Sequence, residues 1–94
     1  MTDHQLLDAA AKAAGYALSA DGLMRWDDAD AEFMVWNPLH FNAHAFELMV
    51  DCGITFRNFG HKVTAVGKTQ CDEYVNNDPF GASRRAIVRA AAET

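Results

Sequence analysis

The sequence predicts an α+β fold, a mostly antiparallel sheet with three helices in the order α-β-β-β-α-β-β-β-α. Three observations carry that prediction. Thr2-Asp3-His4-Gln5 has the form of a capping box, in which a hydroxyl and an amide side chain satisfy orphan N–H groups of a helix start. Asp21-Gly22 separates two short runs and supplies the positive φ of a two-residue hairpin. Asp78-Pro79 places an N-cap and then a proline at the first helical position, where its missing N–H costs nothing. Strands grouped between helices, rather than alternating with them one by one, indicate α+β and not a doubly wound parallel sheet.

The elements follow in order. Behind the capping box, Leu6, Leu7, Ala10 and Ala14 recur at helical spacing and Gly15 ends the helix. Residues 16–19 and 23–26 read as strand, tight turn, strand. The acidic stretch 27–30 is a loop, residues 31–36 return to strand character, and Asn37-Pro38 breaks it because the residue before a proline is pushed out of the helical region. Over 39–52 the spacing of Phe41, Ala45, Leu48, Met49 and Cys52 marks a second helix with one apolar stripe, closed by Gly53. Residues 54–59, 61–66 and 68–75 read as three strands punctuated by Gly60 and Gly67. The closing helix buries Phe80, Ile87, Val88 and Ala91 and carries Arg85 and Arg89 on another face.

Ninety-four residues, half of them apolar, make one domain with a real core. The net charge of −5 argues against a general nucleic-acid binder, which needs a basic face to replace phosphate counterions. The charge is uneven. Residues 1–51 hold nine acids against two bases, whereas residues 52–94 hold four acids against six bases. Two cysteines are too few for a disulfide framework, the N-terminal stretch lacks the basic and apolar regions of an export signal, and no run approaches a membrane span. The expectation is a soluble protein of a reducing cytoplasm, with both thiols free.

No complete catalytic signature is present. Cys52 sits at a helix C-terminus, where the dipole opposes a thiolate, and Cys71 stands beside Asp72 and Glu73. Ser19 and Ser83 lie in no nucleophile elbow, and Gly60 and Gly67 in no phosphate-binding loop. The protein therefore reads as a non-enzyme without a cofactor. In WNPLHFNAHAF, His40 and His44 are four apart, a spacing that puts two imidazoles on one helical face and could hold a metal with a third ligand from Cys52, His61, Asp51 or Cys71. Two ligands are not a site, and structural histidines are the simpler account.

Phe46 lies well round the helix from the apolar stripe, which makes it a rim residue or an aromatic anchor for a partner. Asp27, Asp28, Asp30 and Glu32 form a patch without the glycine and terminal glutamate of an EF-hand loop. It is either a solvated loop or a recognition surface that mimics nucleic acid toward a basic partner. Arg84, Arg85 and Arg89 crowd about two turns of the last helix. Their partners are the chain's own acids, such as Asp78, Glu93 or the 27–32 loop, or an external anion.

WNPL at 36–39, DCGI at 51–54 and DPFGASRRAIVRAAAE at 78–93 together resemble the phage ABA sandwich domain family of small phage and prophage proteins. The resemblance spans essentially the whole chain and is strongest in the first and last of these blocks. It implies an α/β/α sandwich-like domain over 1–94 and a phage accessory gene product, and it brings no catalytic residues. One departure lies at 40–44, where relatives carry polar and acidic residues and this chain has His-Phe-Asn-Ala-His. The functional expectation is a non-enzymatic phage accessory protein that binds a bacterial host protein through its acidic surface, inhibiting a defence or nucleic-acid-handling complex as anti-CRISPR proteins do. The alternatives are a small-ligand or metal binder, and a self-assembling virion component, in its simplest form a homodimer.

Overall fold

Three helices and two antiparallel sheets make up the computed structural model, which describes residues 1–94. Helix α1 spans Asp3–Ala14. Its capping box is complete: the Gln5 N–H donates to the Thr2 hydroxyl at 3.1 Å, and the Thr2 N–H donates to the Gln5 side chain at 2.9 Å. Gly15 ends it at φ +79, a left-handed conformation that glycine adopts without strain.

Strands β1 (Met24–Asp27) and β2 (Glu32–Val35) form a two-stranded hairpin, with Met24 opposite Val35 and Trp26 opposite Phe33. The strand expected at 16–19 contracts to a single bridge between Leu18 and Arg25, so the observed order is α-β-β-α-β-β-β-α. The cause is local. Asp21 accepts from the Ser19 hydroxyl at 2.6 Å and from the Leu23 N–H at 3.0 Å, while the Met24 N–H donates to the Ser19 oxygen at 3.2 Å. These side chains take main-chain donors that a longer ladder would use.

Helix α2 spans Asn42–Asp51 and begins three residues later than its apolar spacing suggests. Residues 37–41 form a turn instead: His40 and Phe41 donate main-chain N–H bonds to the Asn37 carbonyl, and the Leu39 N–H goes to the Asn37 side chain. Strands β3 (Thr55–Asn58), β4 (Lys62–Val66) and β5 (Gln70–Tyr74) then pair as an antiparallel meander. Helix α3, Pro79–Ala92, is capped by Asp78, which accepts from the Gly81 N–H at 2.9 Å.

Helix α3 is the centre of the core. Ala82, Ala86, Ile87, Val88, Ala90 and Ala91 are all buried, and at about 100° per residue they cover well over half of its circumference. Its neighbours are α1, α2, β4 and β5. Small side chains at Ala10, Ala11, Ala86 and Ala90 let helix backbones approach closely, while Trp36, Leu48, Val63 and Val88 supply the bulk. Burying each of those larger side chains contributes about 2 kcal/mol.

Two aromatic rings expected in the core are outside it. Phe80 is 65% exposed because it sits in the first turn of α3, beyond the reach of the sheet, and Phe41 is 43% exposed because the helix starts after it. The layering also differs from the sandwich that the resemblance implies. One face of the β3–β5 sheet packs Val63, Ala65 and Cys71 toward α3, but the other presents Thr55, Arg57, Thr64, Val66 and Gln70 around an open cleft with no helix over it. Apart from Val66, the side chains named on that face are polar or charged and give a helix little apolar surface to bury. No helix is long and apolar enough to cross a membrane.

Candidate functional site

The β1–β2 hairpin has two different faces. Side chains opposite one another in an antiparallel pair share a face, so Met24, Val35, Trp26 and Phe33 lie together, and Arg25, Met34, Asp27 and Glu32 lie on the other side. The second face looks toward α2, where Arg25, Met34, His44 and Glu47 line a cleft of about 310 Å³. The first carries four apolar side chains, of which Trp26, Phe33 and Val35 are exposed and Met24 is half-buried. Trp26 and Phe33 meet edge to face with centroids 5.3 Å apart, and Val35 is 61% exposed.

The hairpin is anchored at its base. The Arg25 guanidinium lies 3.7 Å from the centroid of the Tyr16 ring and pairs with Glu47, while the Tyr16 hydroxyl donates to Asp51. Burial, followed by that hydrogen bond, pushes the Tyr16 phenol well above its ordinary range. Trp36 follows β2 into the core and packs edge-on against Tyr16, its indole N–H buried without an acceptor. The Asp21 carboxyl in the preceding turn is held low by the Ser19 hydroxyl and the Leu23 N–H.

At the opposite end, the hairpin tip gathers the acidic residues. Asp27 accepts from the Ala29 N–H at 3.0 Å and Asp28 from the Trp26 indole N–H at 2.8 Å, while Ala31 turns the chain at φ +51. Asp27, Asp28, Asp30 and Glu32 make no ion pair within the protein. Five acids elsewhere, Asp3, Asp8, Glu47, Asp72 and Glu73, each have a basic partner.

The other residues singled out from the sequence are dispersed. His40 lies in the turn ahead of α2, not one helical turn from His44, so the helical geometry assumed for a metal pair is absent. Each imidazole packs against the Phe41 ring, at 4.7 and 4.9 Å between centroids. His44 Nδ1 accepts the Asn37 N–H at 2.9 Å, and no group of three His, Cys, Asp or Glu side chains is placed to hold a metal. Burial and then the neighbouring Asp51 push the Cys52 thiol up, and Cys71 is buried in β5.

The three arginines diverge from one another. Arg84 donates to the Leu39 carbonyl at 2.8 Å and to the Asn42 side chain at 2.7 Å. Arg85 pairs with Asp3 at 2.9 Å, and Arg89 reaches the Asp72 carbonyl at 2.9 Å and pairs with Glu73. They fasten α3 to the entry of α2, to α1 and to β5, with partners other than the expected Asp78, Glu93 and 27–32 loop. Phe46 is 63% exposed, as its angular position on the helix suggested. It lines an open groove of about 520 Å³ with Met49, Phe56, Phe80 and Ile87, on a different part of the surface from the acidic tip.

The sequence reading missed the apolar hairpin face. Its signal was legible in Met24-x-Trp26 and Phe33-x-Val35, two period-2 pairs on either side of a polar loop. No family model matches the chain, and neither does any curated protein or solved structure. The resemblance of residues 36–39, 51–54 and 78–93 to a phage family therefore rests on those motifs alone.

Proposed function

We propose that this is a non-enzymatic binding protein, a phage accessory product that acts in the bacterial cytoplasm by docking its acidic hairpin on a basic surface of a host protein. One observation carries the reading: four carboxylates, Asp27, Asp28, Asp30 and Glu32, stand at a hairpin tip without an internal counter-ion, beside an uncovered apolar face. Unpaired charge at a projecting tip steers association and selects partners of opposite sign. Aromatic and apolar side chains next to it supply the desolvated contacts that hold a complex.

A basic surface of this kind is what a nucleic-acid-handling or defence complex presents to its own substrate, and an acidic inhibitor occupies it by mimicry. The phage origin draws its support from the resemblance alone, and the anti-CRISPR-like role from that resemblance together with this charge pattern. The state of the thiols, one raised by burial and one enclosed in the sheet, disfavours a cysteine nucleophile.

The test is capture from bacterial lysate with the tagged protein and with an Asp27→Asn, Asp28→Asn, Asp30→Asn, Glu32→Gln variant, each at low and moderate salt. The expected result is one stoichiometric partner that the variant fails to retain and that salt releases. A partner retained equally by both proteins overturns the acidic-surface reading.

A further inference from the structure

The hairpin has one protected edge and one open edge. On the β1 side, Ser19 donates its N–H to the Met24 carbonyl and Trp26 donates to the Ala17 carbonyl, both at 2.8 Å, so residues 17–19 cover that edge. On the β2 side no strand follows. Antiparallel pairs alternate between bonded and non-bonded positions. Because Trp36 donates to Leu23 and the Met24 and Trp26 main chains face residues 17–19, the bonded pairs across the hairpin are Arg25 with Met34 and Asp27 with Glu32. The N–H and C=O groups of Phe33 and Val35 consequently point away from the hairpin into solvent.

All four residues of β2 are exposed, and its edge holds no proline, lysine or bulge, its one charge being Glu32 at the tip end. Natural sheets protect such edges unless a partner uses them. The side chains beside the edge determine what fits. Phe33 and Val35 extend the apolar face of Met24 and Trp26, which can receive alternate side chains of an added strand, and the acidic tip lies at one end of the same edge.

We propose that the β2 edge binds an extended segment of the host partner by strand addition, with apolar side chains on the Met24, Trp26, Phe33 and Val35 face and lysines or arginines at the end nearest Asp27, Asp28, Asp30 and Glu32. This rests on the acidic-hairpin reading and names the form of the partner. Main-chain hydrogen bonds to Phe33 and Val35 provide affinity, and the alternate side chains and terminal cations provide selection. A second copy of the chain is a poorer occupant. Each copy carries a net charge of −5, and pairing two β2 strands about Met34 sets each Glu32 opposite Trp36 of the other copy, leaving both acidic tips without a counter-charge.

The probe is a synthetic ten-residue peptide of alternating valine and threonine ending in three lysines, followed by NMR and amide hydrogen exchange on the full chain. The expected result is binding with slowed exchange at Phe33 and Val35, and little change at Met34, whose N–H is already bonded within the hairpin. Val35→Pro removes one outward donor without touching the hairpin ladder and is expected to weaken binding about tenfold. The same peptide N-methylated at alternate residues tests the ladder with the protein unaltered: methylation of the set that faces β2 is expected to abolish binding, and methylation of the other set to leave it.

Binding that leaves Phe33 and Val35 unprotected, or that tolerates N-methylation in both alternate sets, overturns strand addition. It leaves the acidic-surface reading standing if the four-residue neutralised variant still loses the peptide. No binding overturns strand addition, with the lysate capture judging the acidic surface separately. Protection of both amides in the protein alone, rising with its concentration, assigns the edge to a second copy and overturns the proposal.

Discussion

Arg25 and Glu47 form an ion pair that ties the middle of β1 to the exposed side of α2, with the Arg25 guanidinium resting over Tyr16. This contact, with the Tyr16 to Asp51 hydrogen bond, fixes the hairpin to the body of the protein. Arg25→Ala is expected to cost about 1–2 kcal/mol, mostly from lost cation–π contact and packing, since the Glu47 side chain is too exposed for its ion pair to contribute much. Urea unfolding measures it. Tyr16→Phe is expected to cost about 1 kcal/mol.

Tyr16 also gives stability a pH dependence. Its phenol is raised by burial and by Asp51, so the folded state holds that proton more tightly than the unfolded chain. The contribution is fully present below the unfolded tyrosine value, about pH 10, and is lost as pH rises through the folded value. Unfolding followed by far-ultraviolet circular dichroism between pH 8 and pH 12 is expected to show a decline beginning near pH 10 that is reduced in Tyr16→Phe.

A second titration works at the acid end. The Asp72 carboxyl is held low first by the Thr64 hydroxyl at 2.8 Å, then by Gln70 and by Lys62. Its stabilising effect is present above the ordinary carboxylate range and is lost as pH falls through the depressed folded value. Thr64→Val removes the strongest of these bonds from a buried position, so the Asp72 titration followed by carbon NMR is expected to move up toward the ordinary range. A titration unchanged in that variant would assign the shift to Gln70 and Lys62.

Exposure separates two apolar residues of α3. Phe80→Ala is expected to leave stability within about 0.5 kcal/mol of the parent because the ring is already in solvent. Ile87→Ala is expected to cost about 2–4 kcal/mol because Ile87 belongs to the core cluster. Denaturant midpoints of the two variants decide this, and similar values would mean that Phe80 packs more tightly than its exposure indicates.

The histidines are expected to serve the backbone. His44→Ala removes the acceptor for the Asn37 N–H and should cost about 1 kcal/mol. Zinc should leave the melting midpoint of the parent unchanged, because His44 Nδ1 already accepts the Asn37 N–H and no third ligand joins the two histidines. A midpoint that rises with zinc and fails to rise in His44→Ala would restore the metal reading.

Elements with local chemical signals were legible in the sequence. The Thr2–Gln5 box, Gly15, and Asp78-Pro79 mark helix boundaries through groups within a few residues, and the structure places them as read. Signals that depend on tertiary contacts were not. The spacing of Phe41 and Phe80 fits a helical stripe, but whether a stripe position is buried depends on how far the neighbouring element extends, and both rings lie beyond it. The acidic tip was visible as composition. Its lack of internal cations was not, because that depends on Arg84, Arg85 and Arg89 being drawn to α1, β5 and the entry of α2.

The central position of α3 bears on how the chain is made as well as on how it stands. Helix α1 and strands β4 and β5 bury their apolar sides against a helix that lies after all of them in sequence. During synthesis those surfaces wait, uncovered, until residues 79–92 have emerged, since the N-terminal elements lack the partner that would close over them. Completion of the core is thus tied to the arrival of α3, and until then the apolar sides of α1, β4 and β5 are open to pairing with the wrong partner.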